Sequence, residues 1–428
     1  MKRAVLLGVL LYGLLVTGLT LITGEFLVLA LPLLVYLGAA LLYGPGKLQL
    51  TATRTFSADR VFSGAEVAVR VAIVNRGRAL EQIAVRDVVP PALQVIDGAP
   101  ELLTALGPGE QTVLEYRLQG RRGRFDFPGL QVAASDRLGL FERWTTLPAA
   151  GRLLVLPDVI KLRRLAIRPL RTRAHAGPVP ARQGGSGIEF FGLREYQSGD
   201  PMRWINWRAS ARHPHSLFTN EFEQERIADV GLILDARQRS DVHSKGESLF
   251  ERAVLAASSL ADLFLGDGNR VGLLIYGGFL DWTFPGYGKV QRERVLRALA
   301  RAEPGESLVF ERLNFLPTRF FPAKSQLVLV SPLCADDLAA LVRLRALGYQ
   351  LLIVSPDPIS FELDRLDPHP QLELAARIAR LERAPLLRRL RQAGIQIVDW
   401  RVDDPFDSAV HASLGRTPHW LRSVGAGR

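Results

Sequence analysis

The sequence predicts a multidomain chain with three structural parts: a pair of apolar helices, an all-β sandwich and an α/β domain with a doubly wound sheet. Three observations predict this fold class. Two long uncharged stretches come first, and a region follows in which apolar and polar residues alternate. Strands rich in Val, Ile and Leu then alternate with helical stretches through the rest of the chain. The length of 428 residues is enough for two or three domains.

The two uncharged stretches cover residues 4–23 and 26–43, with Gly24 and Glu25 between them. Each stretch has about 18–20 residues, the length of a helix that spans a hydrocarbon core of roughly 30 Å. The short break between them predicts a transmembrane hairpin over residues 1–46. A cleaved signal peptide is the alternative interpretation, but the second apolar stretch occupies the place where a cleavage site would lie.

Basic residues near both ends of the hairpin predict its topology. A hairpin puts both of its ends on one side of the membrane, and an excess of Lys and Arg marks the cytoplasmic side. We therefore expect the chain to lie at the cell inner (plasma) membrane, in contact with the lipid bilayer, with its soluble domains in the cytoplasm. The flanking basic residues are Lys2, Arg3, Lys47, Arg54 and Arg60.

Residues 47–156 have the pattern of an antiparallel β-sandwich. The segment EVAVRVAIVNRG at 66–77 alternates apolar and polar residues and ends in a turn. Further short segments of this kind follow, separated by Pro and Gly, and their regular spacing is typical of an immunoglobulin-like fold. No catalytic constellation accompanies them, so we expect this domain to be a spacer or a binding module.

A basic linker is predicted over residues 157–186, because Arg, Pro and Gly dominate there. The chain has 54 Lys+Arg against 43 Asp+Glu, a net charge of +11, which suits nucleic acid, an anionic membrane surface or an acidic protein. The linker lacks the aromatic interleaving of single-strand binders, and no DNA-binding module is recognisable, so we expect no nucleic-acid partner. The single cysteine, Cys334, excludes an intrachain disulfide.

Residues 187–428 contain near-continuous apolar strands that alternate with helices, which predicts a mainly parallel sheet covered on both faces. The first of these strands is ADVGLILDA, at 228–236. Ligands of such sheets bind beyond the carboxyl ends of the strands. The stretch 187–226 precedes this strand and is unusually dense in acids, arginines and aromatic residues, which predicts a folded loop held by ion pairs.

The residue order in 187–226 resembles the domain of unknown function 58 family. The matching patterns are G-x-E-F-x-G-L-R-E-Y-x-x-G-D, R-x-I-x-W-x-A-x-A-R and E-F-E-x-E-R, spread over the 40 residues. One position departs from the family, which usually carries Asp where this chain has Asn206. A neutral hydrogen bond is expected to replace any ion pair made by that Asp.

Eight residues of this stretch are candidates either for contact with a partner or for clamping the loop onto the domain. Arginine suits both roles, because its planar fork binds carboxylates and stacks on aromatic rings. The two roles are compatible, and the sequence leaves both open. The candidates are Glu189, Arg194, Glu195, Tyr196, Asp200, Arg203, Trp207 and Arg212.

The order of elements after this stretch resembles a von Willebrand factor A-like domain. Relatives with an active metal site carry Asp-x-Ser-x-Ser at the end of the first strand. Here Asp235 matches the Asp, but Arg237 and Arg239 stand at the two Ser positions. Mg²⁺ needs several oxygen ligands, and two guanidiniums remove ligands and add repelling charge. We therefore expect a degenerate site without a metal, no cofactor, and a positive loop that holds an acidic group of a partner.

These observations predict a membrane-anchored cytoplasmic adaptor or scaffold, and not an enzyme. The family resemblance implies a protein partner, a MoxR-type AAA+ ATPase, bound through the von Willebrand A-like domain and the loop before it. The alternative is a membrane-bound metal-dependent hydrolase. The degenerate metal motif and the lack of a recognisable nucleophile motif argue against that alternative. No small-molecule substrate is identified.

Overall fold

The computed structural model describes residues 2–22, 24–42, 46–135, 140, 142–163, 172–213, 215–367 and 369–414. For residues 2–4, 41, 42, 172–189, 191 and 222–226 it describes the backbone alone. The chain divides into two compact units, Met1–Leu156 and Pro157–Arg428. The finer boundaries expected at residues 46/47 and 186/187 stay predictions.

Two helices begin the first unit, α1 (Lys2–Leu21) and α2 (Gly24–Leu42), and they contact each other. Within the described part of the chain, no helix combines the length and the apolarity needed to cross a bilayer. The predicted transmembrane hairpin is therefore wrong, as are the inner-membrane localisation and the membrane-spanning part of the fold class. Lys2 and Arg3 begin α1, and Glu25 lies in the first turn of α2.

The described residues of the first unit also include nine strands, in two sheets with the orders β1-β3-β7-β5 and β2-β9-β8-β4-β6. The pairs within them are antiparallel, except that β2 runs parallel to β9. The strands are β1 (Leu50–Phe56), β2 (Arg60–Phe62), β3 (Val67–Asn75), β4 (Leu80–Asp87), β5 (Leu93–Gly98), β6 (Glu101–Leu106), β7 (Gln111–Gly120), β8 (Gly123–Ser135) and β9 (Glu142–Leu156).

One apolar core lies between these two sheets. Successive side chains of a strand point to opposite faces, so the alternating sequence of β3 buries every second residue. Val71 and Ile73 of one sheet and Ile83 and Val132 of the other belong to this same core, and each is completely buried. The inner faces of the two sheets therefore hold the sandwich together.

A buried ion pair is set into the edge of this core. The Arg54 guanidinium donates hydrogen bonds to the Asp87 carboxylate and to the backbone carbonyl of Ala149, and both charged side chains are fully buried. The Tyr116 hydroxyl donates to the same carboxylate at 2.6 Å. Burial, together with the hydrogen bond to Asp87, raises the pKa of Tyr116 well above its usual value. The three side chains link β1, β4 and β7 across both sheets.

The second unit begins with a long two-stranded ribbon. Strand β10 (Thr172–Glu195) pairs antiparallel with β11 (Phe218–Ala236), from Glu195 opposite Phe218 to Thr172 opposite Ala228. From residue 229 onward, β11 runs between two parallel neighbours as a strand of the main sheet. Residues 196–217, which join the two ribbon strands, are called the tip; they include the short helix α3 (Trp207–Ser210).

The main sheet has the order β15-β14-β11-β16-β17-β18, in which only β15 is antiparallel to its neighbour. Its further strands are β14 (Arg270–Gly277), β15 (Leu280–Gly286), β16 (Gln326–Val330), β17 (Gln350–Pro356) and β18 (Gln396–Trp400), after the short pair β12 (His243–Ser244) and β13 (Glu247–Ser248). The helices are α4 (Leu249–Gly266), α5 (Gly288–Ala300), α6 (Asp337–Ala346), α7 (Pro358–Leu363), α8 (Pro370–Gln392) and α9 (Phe406–Leu414).

Apolar cores cover both faces of the main sheet, and β11 contributes to each. Leu232 and Leu234 point into the core that contains residues of α4, α5 and α9. Ile233, between them, points into the core that contains residues of α6 and α8. A strand that is buried on both faces needs apolar residues at every position, which explains the continuous apolar sequence of β11.

The predicted basic linker divides into parts with different structures. Its first residues lie on the second unit, where the backbone N–H of Ile160 donates to Ser259 of α4 at 2.9 Å. Arg163 pairs with Asp407 of α9, also at 2.9 Å. Residues 164–171 lie outside the described residues, and 172–186 form the first part of β10.

We expect Asp87→Asn to lower the free energy of unfolding of the sandwich by about 3 kcal/mol, because Arg54 would become a buried, unpaired charge. Tyr116→Phe removes one hydrogen bond to the same carboxylate and should cost about 1 kcal/mol. Urea unfolding of the full chain measures both effects, with hydrogen exchange of β7 peptides as the readout for this unit.

The matched control is Glu101→Gln, which breaks an ion pair with Arg86 whose two side chains are 66% and 59% exposed. An exposed pair of this kind should contribute less than about 1 kcal/mol. If Asp87→Asn and Glu101→Gln had equal effects, the buried pair would not have the stabilising role assigned to it.

Candidate functional site

Five polar side chains meet at the carboxyl end of β11, where α/β sheets of this kind bind ligands. Asp235 lies one residue before the end of the strand, Arg237 follows it, and Ser240 ends the next turn. Ser331 follows the neighbouring strand β16, and Asp337 begins α6. These five residues are called the Arg237 cluster, and each is at most 6% exposed.

The guanidinium of Arg237 bridges the two carboxylates of the cluster. Its Nε and one terminal nitrogen donate to the two oxygens of Asp235, both at 2.8 Å. Its terminal nitrogens also donate to the two oxygens of Asp337 at 2.9 and 2.8 Å, and a further bond reaches the carbonyl of Glu311 at 3.1 Å. A guanidinium has five N–H donors, so Arg237 has none left for a partner.

Burial by itself would lower the pKa of Arg237, but the hydrogen bonds to Asp235 and Asp337 outweigh that effect, and the pKa is raised. Arg237 is therefore always charged. One cation between two carboxylates leaves the cluster with a single negative charge, which two hydroxyls help to solvate. Ser240 and Ser331 donate to Asp235 at 2.8 and 2.6 Å.

The oxygens of the cluster are ligands of the kind that Mg²⁺ prefers, but the guanidinium stands among them. A metal ion bound by Asp235 and Asp337 would have to displace Arg237 from both carboxylates. Among the described residues, no group of three or more His, Cys, Asp or Glu side chains is arranged to hold a metal. The residues present do not fit a divalent cation, because the Arg237 guanidinium occupies the position between the two carboxylates.

The loop after α5 packs over the cluster and closes it off. The loop after α5 crosses the end of β11, where Gly305 exchanges hydrogen bonds with the backbone of Ala236 and Gln238 at 2.9 and 3.0 Å. At the end of the neighbouring strand β14, a Cβ on Gly277 would meet the carbonyl oxygen of Ala236 at 2.2 Å. The close approach of these backbones explains why glycine stands at 277, and it leaves Arg237 only 2% exposed.

Arg239 lies outside this enclosure and is half-exposed. It makes a bidentate ion pair with Asp336 at 2.6 and 3.0 Å. That hydrogen-bonded carboxylate raises the pKa of Arg239, against the opposing effect of burial. The two arginines that the sequence places in the degenerate motif therefore pair with successive aspartates, Asp337 and Asp336, at the start of α6.

Sequence reasoning missed Asp337 and Ser240. The acid that completes the cluster comes six residues after Ser331. A signal was available, because paired acids in the first turn of a helix are a usual start signal. Asp336-Asp337 opens α6 in this way.

The tip contains most of the other candidate residues. Arg194 makes a bidentate ion pair with Asp200 at 2.7 and 2.8 Å, which closes the turn at the end of β10. The hydrogen bond from Arg194 lowers the pKa of Asp200. Glu195 accepts a bond from Ser216 at 3.0 Å, and the backbone N–H of Tyr196 donates to Leu217. These contacts join the two sides of the tip.

Asn206, the position that departs from the family, makes two side-chain hydrogen bonds. Its oxygen accepts the backbone N–H of Ala209 at 2.9 Å and so caps α3, and its nitrogen donates to the side chain of Asn220 in β11 at 2.8 Å. An Asp here could accept the capping bond but could not donate to the Asn220 oxygen. The neutral residue therefore matches its partner in β11.

Three of the candidates point away from the domain. Trp207 is 64% exposed, and Arg203 and Arg212 are exposed as well. The side chain of neither arginine makes a hydrogen bond or ion pair with a described residue, although the Arg203 guanidinium lies 6.0 Å from the ring of Trp204. The side chain of Glu189 lies outside those that the structure describes, and only its backbone, in β10, is placed.

The structure does not bring the two groups of candidates together. The tip precedes Phe218 at the start of β11, whereas Asp235 lies near the other end of the same strand. Seventeen residues of extended chain at about 3.3 Å each separate these ends by at most roughly 55 Å. The second unit therefore has two separate candidate sites, an exposed one at the tip and a closed one at the Arg237 cluster.

Residues 192–364 match the family model described as "Protein of unknown function DUF58". The match confirms the family resemblance over these residues, which contain the tip and the Arg237 cluster. The protein is also similar to the uncharacterized protein YeaD of Bacillus subtilis, with 26% identity over 252 residues, which are 58% of this chain and 60% of that protein. The uncharacterized protein Rv1480 of Mycobacterium tuberculosis is 31% identical over 129 residues, 29% of this chain and 38% of the relative.

The chain thus spans less than two thirds of the length of either relative. Among solved structures, the FixG-related protein from Vibrio parahaemolyticus is similar over 25% of this chain and 95% of its own, with 11% identity and a TM-score of 0.18. A likeness this weak carries no argument about function.

We expect Asp200→Asn to accelerate backbone hydrogen exchange in residues 194–200, because the charged pair with Arg194 closes this turn. Arg203→Ala, which removes no bond to a described residue, is the matched control and should leave exchange unchanged. The pKa of Asp200 is lowered in the folded state. The ion pair between Arg194 and Asp200 should therefore be fully formed above pH about 4 and weaken as the pH falls below that value. Equal exchange in the two variants would show that the pair does not hold the tip.

Proposed function

We propose that this chain is a non-enzymatic adaptor that binds a protein partner through its second unit. Its α/β domain is of the von Willebrand factor A-like type, and the partner is a MoxR-type AAA+ ATPase. The family resemblance suggests this partner. The order of the main sheet supports the domain type, because β11 comes first among its parallel strands, lies inside the sheet and carries Asp235 at its carboxyl end.

One observation carries the adaptor proposal: the Arg237 guanidinium is buried and fully bonded at the ligand-binding edge of the sheet. A catalytic site needs access for its substrate, and a metal-dependent hydrolase needs an open coordination position on its metal. The Arg237 cluster offers neither. Its carboxylates are already bonded to Arg237 and to the serine hydroxyls, which suits a structural role and favours binding at an exposed surface of the unit.

We expect Arg237→Ala to lower the free energy of unfolding by about 3–5 kcal/mol, because it leaves two carboxylates buried without their cation. Millimolar Mg²⁺ should restore part of this loss, since Asp235, Asp337 and the two serine hydroxyls then offer oxygen ligands. The wild-type chain should not respond to Mg²⁺. Thermal unfolding with and without Mg²⁺ measures both effects.

Arg239→Ala is the matched control, because it removes a neighbouring arginine whose pair with Asp336 is half-exposed. It should cost less than about 1 kcal/mol and show no rescue by Mg²⁺. Calorimetric binding of Mg²⁺ to the wild-type chain, lost in Asp235→Ala, would favour the hydrolase alternative.

We expect the full chain to bind a purified MoxR-type ATPase from the same organism with a Kd of about 10 μM or tighter, within the range of transient protein complexes. Analytical ultracentrifugation measures this binding, and Glu101→Gln, a change on the sandwich surface, should leave it unaltered. Absence of binding, or turnover of a hydrolase substrate by the isolated chain, would contradict the proposal.

A further inference from the structure

The exposed face of the tip carries an unbalanced positive charge. Arg203, Arg208 and Arg212 are exposed, and none of them makes an ion pair or a side-chain hydrogen bond with a described residue. Asp200 is already paired with Arg194 at 2.7 Å, and Glu195, which accepts a bond from the neutral Ser216, supplies a single negative charge against the three arginines. The charge available to a partner on this face is therefore cationic.

Large apolar side chains are exposed in the same segment as these arginines. Trp207 is 64% exposed, Met202 72% and Leu217 46%. Single exposed apolar residues are common on protein surfaces. Three within one connecting segment, including a tryptophan, are unusual, and Trp and Arg are the residue types enriched at the energetic centres of protein interfaces.

The tip is held in place from beneath, so these side chains are presented on a fixed backbone. Ile205 is 7% exposed and Ser210 9%. Ser210 exchanges hydrogen bonds with the backbone of Phe218, and Asn206 connects α3 to β11. A surface that is ordered before binding loses less conformational entropy when a partner docks.

We propose that the tip binds an acidic segment of a partner protein that also carries apolar side chains. This inference rests on the proposed adaptor function and specifies the chemistry of the contact. The three arginines bind carboxylates, for which their planar forks are suited. Trp207, Met202 and Leu217 cover the apolar side chains of the segment. A chain that supplied only negative charge would leave this apolar surface in water.

A nucleic acid would also satisfy the arginines, but the apolar residues favour a protein segment. Stacking of successive bases needs several aromatic side chains, whereas of the three strongly exposed apolar residues here only Trp207 is aromatic. Met202 and Leu217 provide aliphatic contact area, which matches apolar protein side chains better than the faces of bases.

The test is a fluorescence anisotropy titration of the full chain with three labelled peptides of equal length. The first contains Glu and Leu, the second has Gln in place of Glu, and the third has Ala in place of Leu. We expect only the first to bind measurably. The combined change Arg203→Gln, Arg208→Gln and Arg212→Gln should weaken its binding at least about tenfold, as should Trp207→Ala, because such residues act as interface hot spots.

The matched control removes three exposed arginines from helix α8, by Arg377→Gln, Arg380→Gln and Arg391→Gln. It changes the net charge equally but leaves the tip intact, so binding should change less than about twofold, within the range expected of general electrostatics. Equal weakening in both triple variants would overturn the proposal, as would tight binding of the Gln peptide. Failure of the Glu/Leu peptide to bind would also overturn it, as would stronger competition by a single-stranded oligonucleotide than by the unlabelled peptide.

The same variants separate this inference from the adaptor function. If the tip variants bind the ATPase as well as the wild-type chain does, the tip is not the contact, although the adaptor function stands. If the wild-type chain binds the Glu/Leu peptide through the tip but not the ATPase, the chemistry of the tip is supported and the identity of the partner is wrong.

Discussion

The ion triplet of Asp235, Arg237 and Asp337 is the interaction on which the carboxyl edge of the α/β domain depends. It joins the end of β11 to the start of α6, and it ties down the covering loop through the carbonyl of Glu311. Two carboxylates in a dry environment need a cation, because burial of unpaired charge is costly. Covalent attachment of that cation to the chain makes the local structure independent of any dissolved ion.

This arrangement explains why a site that looks functional in sequence is closed in the fold. The guanidinium bonds each carboxylate through two of its nitrogens, a geometry that Arg forms readily. A lysine at 237 would supply the charge but not the five directed donors. The sheet edge is therefore closed, and the exposed candidate residues lie at the opposite end of β11.

The strands of the main sheet could be predicted from the sequence, because a strand buried on both faces needs apolar residues at every position. Strand β11 has such residues from Val230 to Leu234. The sequence also identified Asp235, Arg237 and Arg239. It was not sufficient for the pairing of Arg237 with Asp337, since the two residues are 100 positions apart and are brought together only by the fold. The charges at the starts of α1 and α2 were visible, but the points where these helices end were not.

The ribbon was the least predictable element. Residues 172–195 contain several Gly and Pro residues and few β-branched ones, a composition that disfavours strand prediction. Its pairing with β11 proceeds through several register shifts, which accommodate these residues. The ion pairs expected for this region do occur, but they belong to a turn between two strands, where Arg194 and Asp200 close the end of β10.

The continuity of β11 has a mechanical consequence. A pull on the tip is transmitted along this single strand into the middle of the main sheet, where β14 and β16 lie parallel on either side. The hydrogen bonds to both neighbours then resist in shear, all at once, and do not open one after another like a zipper. The tip is thus anchored where the domain withstands tension best.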